Sequence, residues 1–265
     1  MERTTNILHN AVFNPNYDIV WSFKFLLSSP SVNALEQGGF VTYLAKPRTE
    51  VAYNVGEGYA HLGYDALSAA SGIQGAVLGI GFDTLGIFAA SGVGLRANGI
   101  PLSSIKSNSI TIRGGYSAYN LLYTESLSAL NTEMTLLTNT EDYQWLRFRL
   151  GNIGRTLYID YRRYDTDSYT QILEYPVSLP FTETSLYCVG VSYTYPVSFN
   201  YYVDHSDTVL RIKNLQVEGY SNTPDTYVFT TTSSAITAFE LQNTTIVDPI
   251  TSDVLSIDDD YIFLA

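Results

Sequence analysis

The chain has 265 residues, of which 45% are hydrophobic, 14% aromatic and only 15% charged, with a formal net charge of -12. That length and apolar content suffice for a sizeable core in one all-β domain and exclude a disordered chain. The acidic balance excludes binding of nucleic acid through its phosphates and attraction to an anionic membrane surface. No apolar run approaches the roughly 18 residues needed to span a bilayer.

Strand patterns follow one another along the chain. Short runs rich in β-branched and aromatic residues occur at 19–27, 38–46, 76–84 and 109–115, and again at 145–151, 156–163, 186–194 and 208–220. Several alternate strictly. Leu146, Phe148 and Leu150 fall on one face and Arg147 and Arg149 on the other. Leu157, Ile159 and Tyr161 oppose Tyr158, Asp160 and Arg162 in the same way. The Asn and Gly residues of 150–156 predict a hairpin between these two strands. Helical spacing is weak everywhere; the best candidate is a short helix over 126–137. Gly- and Ser-rich stretches at 63–75 and 86–99 read as loops. Two antiparallel sheets packed face to face follow from this pattern.

Residues 221–265 differ: they are Thr-rich, carry no Lys or Arg, and include Asp258, Asp259 and Asp260. They read as a C-terminal β-rich extension or tether to a sandwich domain of residues 1–220. A solvated tail packing back on the sandwich is an equal reading, and the anionic charge suits a basic partner.

Chemical motifs are few. Cys188 is the single cysteine, so an internal disulfide and a thiolate zinc site are excluded. The N-terminus MERTTNILHN lacks the basic and apolar regions of a signal peptide, which predicts synthesis in a cytoplasm. Asp204, His205 and Asp207 offer oxygen and nitrogen donors for a divalent ion, though a polar turn before the next strand explains them as well. His9 and His61 have no carboxylate or Cys pattern beside them and read as structural. Asp165 and Asp167, like Asp258 and Asp260, have the spacing of a glycosidase acid pair but lie in polar stretches, and read as solvated loops. No nucleophile-elbow, Walker or HExxH motif is present. The expectation is a protein that is not an enzyme.

The ordered set of motifs resembles the L-type (legume-lectin-like, concanavalin-like) lectins. GGFVTYLA at 38–45, HLGY at 61–64, LGIGFDTLGIF at 78–88 and NSITIRGG at 108–115 are similar to successive family motifs. LRFRLGNIGRTLYIDYR at 146–162 resembles the family's back-sheet hairpin. YCVGVSYTYP and LRIKNLQVEG, within 187–219, resemble its closing strands. The match spans roughly residues 15–220 in the family's own order. The wording of several segments also resembles lectin-like structural proteins of marine bacteriophages.

The resemblance implies an all-β, concanavalin-like two-sheet sandwich (jelly-roll) and a sugar site. In that family two cations, held by acidic side chains, an Asn and a His, fix a loop that binds saccharide hydroxyls. Here Asp83 matches a metal-binding Asp, but the matching Glu is Gly81, the Asn is Ile87, the His is Ser109, and the sugar-binding Asp is Gly38. Calcium needs several oxygens together, so no cofactor is expected, with Ca2+ at Asp83 the weak exception. Asp83 is expected instead to accept backbone N–H bonds from Leu85 or Gly86 in an Asx turn. Candidate carbohydrate-binding residues are Gly38, Gly39, Asp83, Ile87, Tyr193, Tyr195 and Asn200. Tyr193 and Tyr195, with Phe199, Tyr201 and Tyr202, offer either faces for a pyranose or rings for a core or subunit interface.

The expected function is therefore a virion protein with a lectin-like domain, in a tail, fibre or capsid surface, attaching to host surface glycans. The alternatives are a purely structural virion piece whose sugar site is degenerate, and a free lectin. Partners would be other virion proteins, host glycans and further copies of this chain, with no nucleic acid or membrane.

Overall fold

A computed structural model describes residues 4–8, 18–28, 38–47, 61–65, 72–90, 99–115, 119–138, 142–151, 155–178, 187–194, 209–220, 227–232, 246–247 and 254–255. In chain order the strands are β1 (Thr4–Leu8), β2 (Asp18–Ser28), β3 (Gly39–Ala45), β4 (Ala76–Asp83), β5 (Ser109–Gly114) and β6 (Leu121–Ser126). They continue with β7 (Leu137–Thr138), β8 (Gln144–Gly151), β9 (Thr156–Arg162), β10 (Thr170–Pro176), β11 (Cys188–Thr194) and β12 (Val209–Tyr220). The last are β13 (Tyr227–Thr232), β14 (Ile246–Val247) and β15 (Val254–Leu255).

Two sheets result. A six-stranded front sheet has the order β1-β11-β3-β4-β5-β6; the seven-stranded back sheet runs β10-β9-β8-β2-β12-β13, with β7 beside β2. All pairings are antiparallel except the short β2–β7 contact. This is the two-sheet antiparallel sandwich expected from the sequence. The hairpin expected at 150–156 is the β8–β9 pair, with Gly151 opposite Thr156. β13, from the C-terminal extension, lies on β12 at the edge of the back sheet.

The alternation of apolar residues explains the core. Ile19, Trp21, Phe23, Phe25 and Leu27 of β2 are all fully buried, as are Phe40 and Leu44 of β3 and Leu78, Ile80 and Phe82 of β4. Trp21 stacks on Phe148 at 5.1 Å within the back sheet, and Phe40 on Phe82 at 4.9 Å within the front sheet. Phe82 meets Phe148 edge-on at 6.0 Å and joins the two layers. The polar end of Trp21 is satisfied across the same gap. Its Nε1 donates to Thr42 Oγ1 at 3.1 Å, and that hydroxyl donates to the Gly190 carbonyl at 3.1 Å.

β12 needs a correction to its alternation. Leu210 and Ile212 face the core before Asn214, and Leu215 and Val217 face it after. A β-bulge resets the parity: Lys213 pairs with Lys24 and Gln216 with Ser22, and Asn214 takes a left-handed φ of 53°. Without that extra residue Asn214 and Gln216 would point into the sandwich.

The helix expected at 126–137 is not formed. Ser126 ends β6 and residues 127–131 make a single turn. Ser126 Oγ accepts from the Ala129 N–H at 3.3 Å, Thr132 Oγ1 accepts from the Met134 N–H at 3.2 Å, and Asn131 adopts φ 51°. Short hydroxyl side chains divert the backbone from the helical ladder, and a left-handed Asn ends the turn. Met134 and Leu136 are still buried, which is what their spacing recorded.

Candidate functional site

The topology gathers the sequence candidates on one edge of the front sheet. Thr194 pairs with Gly39, Gly39 with Asp83, Asp83 with Ser109, and Ser109 with Ser126, in one row across neighbouring strands. The chain enters the sheet at Gly39 and Ser109 and leaves it at Asp83 and Thr194 along this row. Loops converging on one end of a rigid sheet are where binding residues are commonly carried.

Asp83 is almost fully buried, at 4% exposure. Its Oδ1 accepts the Leu85 N–H at 2.9 Å, the expected Asx turn, and its Oδ2 accepts the Phe88 N–H at 2.7 Å. The carboxylate thus folds the chain after β4 back over the outer face of the sheet. Beside it, Thr84 locks the arriving strand: its Oγ1 accepts from the Gly38 N–H at 3.1 Å and donates to the Gly38 carbonyl at 2.8 Å. Gly38 and Gly39 are buried. A Cβ at Gly39 would stand 2.4 Å from the Phe82 carbonyl, so only glycine fits that crossing.

A second apolar layer covers the outer face of the front sheet. Val41, Tyr43, Ala45, Leu62, Tyr64, Ile73, Ala76, Phe88 and Tyr119 form one buried cluster. Phe88 lies directly on Gly81, where a Cβ would come within 2.4 Å of its ring. Arg113 of β5, also fully buried, ties this layer together. Its Nε donates to the Phe88 carbonyl at 2.6 Å, one terminal nitrogen to the Tyr119 carbonyl at 2.7 Å, and the other to the Ala90 carbonyl at 3.4 Å. The guanidinium also packs 5.3 Å from the centre of the Phe88 ring. Tyr64 donates its hydroxyl to the Gly114 carbonyl at 2.9 Å, and burial holds its ionisation well above the ordinary tyrosine range. Ala90 bridges to Ile100, which closes the base of the segment between them.

These residues do not fit a cation site. Both Asp83 oxygens accept backbone N–H groups, the Gly81 position is filled by the Phe88 ring, and half-buried Ile87 offers only hydrocarbon. Ser109 contributes one buried hydroxyl that has no hydrogen-bond partner among the described residues. Among those residues no three His, Cys, Asp or Glu side chains group together. The described segments over the outer face of the front sheet are held by Asp83 from one side and Arg113 from the other.

Tyr193 is placed differently from a sugar-facing ring. It is 8% exposed and belongs to the inter-sheet core. The register of β11 decides this, since Tyr193 shares its face with Val189 and Val191. Tyr195, Phe199, Asn200, Tyr201 and Tyr202 lie outside the described residues, as do Asp204, His205, Asp207, Asp258, Asp260 and His9.

His61 does have a carboxylate beside it. Its Nδ1 lies 2.6 Å from Asp65 Oδ1, with both side chains buried. Two successive left-handed residues, Leu62 at φ 49° and Gly63 at φ 74°, turn the chain so that the pair meets.

The outer face of the back sheet carries a second polar and aromatic array. Trp145, Arg147 and Arg149 of β8, Tyr158 and Arg162 of β9, and Lys24 of β2 share it. Asp160, nearly fully buried, accepts from Arg147 Nε at 2.8 Å and from Arg149 Nε at 2.8 Å. Arg147 lies over the Tyr169 ring, Arg149 over Tyr158, and Arg162 over Trp145. The alternation of Trp145 and Tyr158 with core residues, among arginines, is its signal in the sequence.

No family model and no curated protein matches the chain. Solved structures are similar. The basic winged bean lectin with Tn-antigen is 15% identical over 71% of this chain and 68% of its own, with a TM-score of 0.48. Lectin I-B4 from Griffonia simplicifolia, in metal-free form, is 13% identical over 82% and 80%, at 0.49. The Bauhinia forficata lectin in complex with GalNAc is 10% identical over 73% and 77%, at 0.47. These likenesses carry no residue role and no ligand to this chain.

Proposed function

We propose that this chain is a non-enzymatic, lectin-like glycan-binding module that works without a cation. In this reading it serves as a virion component, in a tail, fibre or capsid surface, and contributes to attachment to host surface glycans. The observation that supports it is the convergence of Gly38, Asp83 and the β11 end on one row of the front sheet, with protein groups holding the loop layer. A platform held by Asp83 and Arg113 leaves the following segments, including Tyr195 and Asn200, to make the contacts. Many copies on one particle would offset a weak single site.

A second reading is favoured by burial. Gly38, Gly39, Asp83 and Tyr193 are all buried, so none of them presents a side chain to a ligand. A purely structural virion protein, with the degenerate sugar edge turned to packing, would look the same there.

Glycan-array binding by the multimerised protein, with and without EDTA, separates the readings. Binding that survives EDTA and is weakened in Tyr195→Ala supports the cation-free lectin. Binding that EDTA abolishes refutes it. Absence of binding on a broad array, together with detection of the chain in purified particles by mass spectrometry, moves the assignment to the structural role.

A further inference from the structure

The outer face of the back sheet carries a cleft of about 440 Å³, lined by Lys24, Asp142, Tyr143, Tyr164, Asp165 and Thr166. It is shallow and open to solvent, so a ligand there would be held on one side only. It lies on the opposite sheet from the row containing Asp83 and shares no residue with it.

The lining is held in place by its own bonds. Asp165 Oδ2 accepts from Lys24 Nζ at 2.8 Å, and Oδ1 accepts from the Trp145 indole N–H. Lys24 and Arg162 both pack on the Trp145 ring, at 4.9 and 4.4 Å, and Arg162 donates to the Asp165 carbonyl at 3.2 Å. Residues 164–167 form a closed turn. The Asp167 N–H donates to the Tyr164 carbonyl at 3.1 Å, and the Tyr164 N–H donates to Asp167 Oδ2 at 3.0 Å. Tyr164 is therefore fixed at its backbone while the residue is 50% exposed, with the Arg163 guanidinium 5.3 Å from the centre of its ring. An aromatic presented on a closed turn loses little further freedom on binding.

The lining carries both signs, Asp142 and Asp165 against Lys24, with Arg162 beside it and the Lys213 ammonium 4.1 Å from the centre of the Tyr143 ring, and Lys24 is paired with Asp165. Such a lining offers no excess of one charge to hold a lone ion, while its donors, acceptors and tyrosines suit a hydroxyl-rich neutral molecule with an apolar face. Each carboxylate oxygen of Asp165 has a lone pair left after its internal bond, which a sugar hydroxyl donates to. The Lys24 ammonium and the Thr166 hydroxyl supply donors, and the Tyr164 ring covers a C–H face.

We propose that this cleft is a binding site for a neutral pyranose, distinct from the loop edge of the front sheet. It stands on its own residues and does not depend on the edge site binding glycan. A chain with saccharide sites on both sheets would cross-link two glycans or grip one branched glycan.

The chain's two tryptophans make the test specific: Trp145 borders the cleft and Trp21 is fully buried in the core. Indole N–H signals of the 15N-labelled full chain would be followed during titration with methyl glucopyranoside, methyl galactopyranoside and methyl mannopyranoside. Glucuronate and choline are the charged controls. The expected result is a saturable shift of the Trp145 signal with at least one neutral glycoside and none at Trp21. Tyr164→Ala weakens that binding by about tenfold or more, equivalent to about 1.4 kcal/mol, while Tyr195→Ala leaves it unchanged. No shift of Trp145 with any neutral glycoside at about 50 mM, where a millimolar site is nearly filled, overturns the proposal. So does a response to the charged probes alone, or an unchanged affinity in Tyr164→Ala.

Discussion

Arg113 is the side chain on which the loop layer of the front sheet depends most. Its guanidinium satisfies the carbonyls of Phe88, Tyr119 and Ala90, which belong to two separate loop segments. Arg113→Met keeps most of the apolar stem and removes the donors. Hydrogen bonds from a charged group are worth about 1.5–3 kcal/mol, and each buried carbonyl left without a donor costs about 1–3 kcal/mol. The two short bonds dominate, since the one to Ala90 is long at 3.4 Å. Relief of the buried charge's own desolvation offsets part of this loss. The expected net destabilisation is about 3–5 kcal/mol, within the range for breaking a buried charged network. Arg113→Lys keeps the charge but not the planar fork, and is expected to lose about 1–3 kcal/mol. Urea unfolding followed by tryptophan fluorescence measures both as a lower midpoint at unchanged slope. The exposed Arg163→Met serves as the control and stays within about 0.5 kcal/mol of the parent. An Arg113→Met protein less than about 1 kcal/mol below the parent would refute the role assigned to this side chain.

Placing a carboxylate two residues before Asp83 by Gly81→Glu should not create a cation site, because even a Cβ there meets the Phe88 ring at 2.4 Å. The variant is expected to lose about 1–3 kcal/mol from overpacking, and a calcium-dependent rise in its melting temperature would show the fit argument wrong. Glu125 is held below the ordinary carboxylate range first by its bond from Lys106 and then by the Ser126 N–H. Its folded pKa is depressed, so its stabilisation is present above the unfolded value and is lost as pH falls through the folded one. In Lys106→Met the carboxyl carbon of Glu125, followed by NMR, should titrate at higher pH than in the parent; an unmoved titration would remove Lys106 as the cause. Burial pushes Tyr161 up to about 12 from an ordinary 10.0, so the unfolded chain loses that proton first and stability falls as pH rises between those values. Tyr161→Phe should flatten the alkaline decline in unfolding free energy, at the cost of the hydroxyl's bond to Gln144; an equally steep decline would contradict this.

The amino-acid pattern alone was sufficient for the strands that make the sandwich interior. β2, β4, β8 and β9 bury long apolar side chains at every second position, and a period of two is a local property. Edge strands were harder to see. β6 is only partly buried along its length, and β10 carries a register shift between Gln171 and Leu173, so neither shows clean alternation. The false helix at 126–137 arose because buried residues spaced by three or four also occur in an irregular turn. The Asx turn at Asp83 was legible by residue identity alone.

What holds the loop layer over the front sheet was decided only in three dimensions. Arg113 lies on β5, and it reaches loop carbonyls at Phe88 and Tyr119 because the pairing of β4 with β5 sets it beneath both segments. The direction of Tyr193 depended on the parity of β11 in the sheet, and no local pattern specifies which face of such a strand meets the other sheet. The cleft beside Trp145 needed the turn at 164–167 to bring Asp165 back over a strand some twenty residues earlier in the chain. Periodicity is written residue by residue, so the sequence by itself determined the layers of this protein. Loop cover, strand parity and the meeting of distant polar groups are set by register and packing between segments, and those the tertiary structure alone decided.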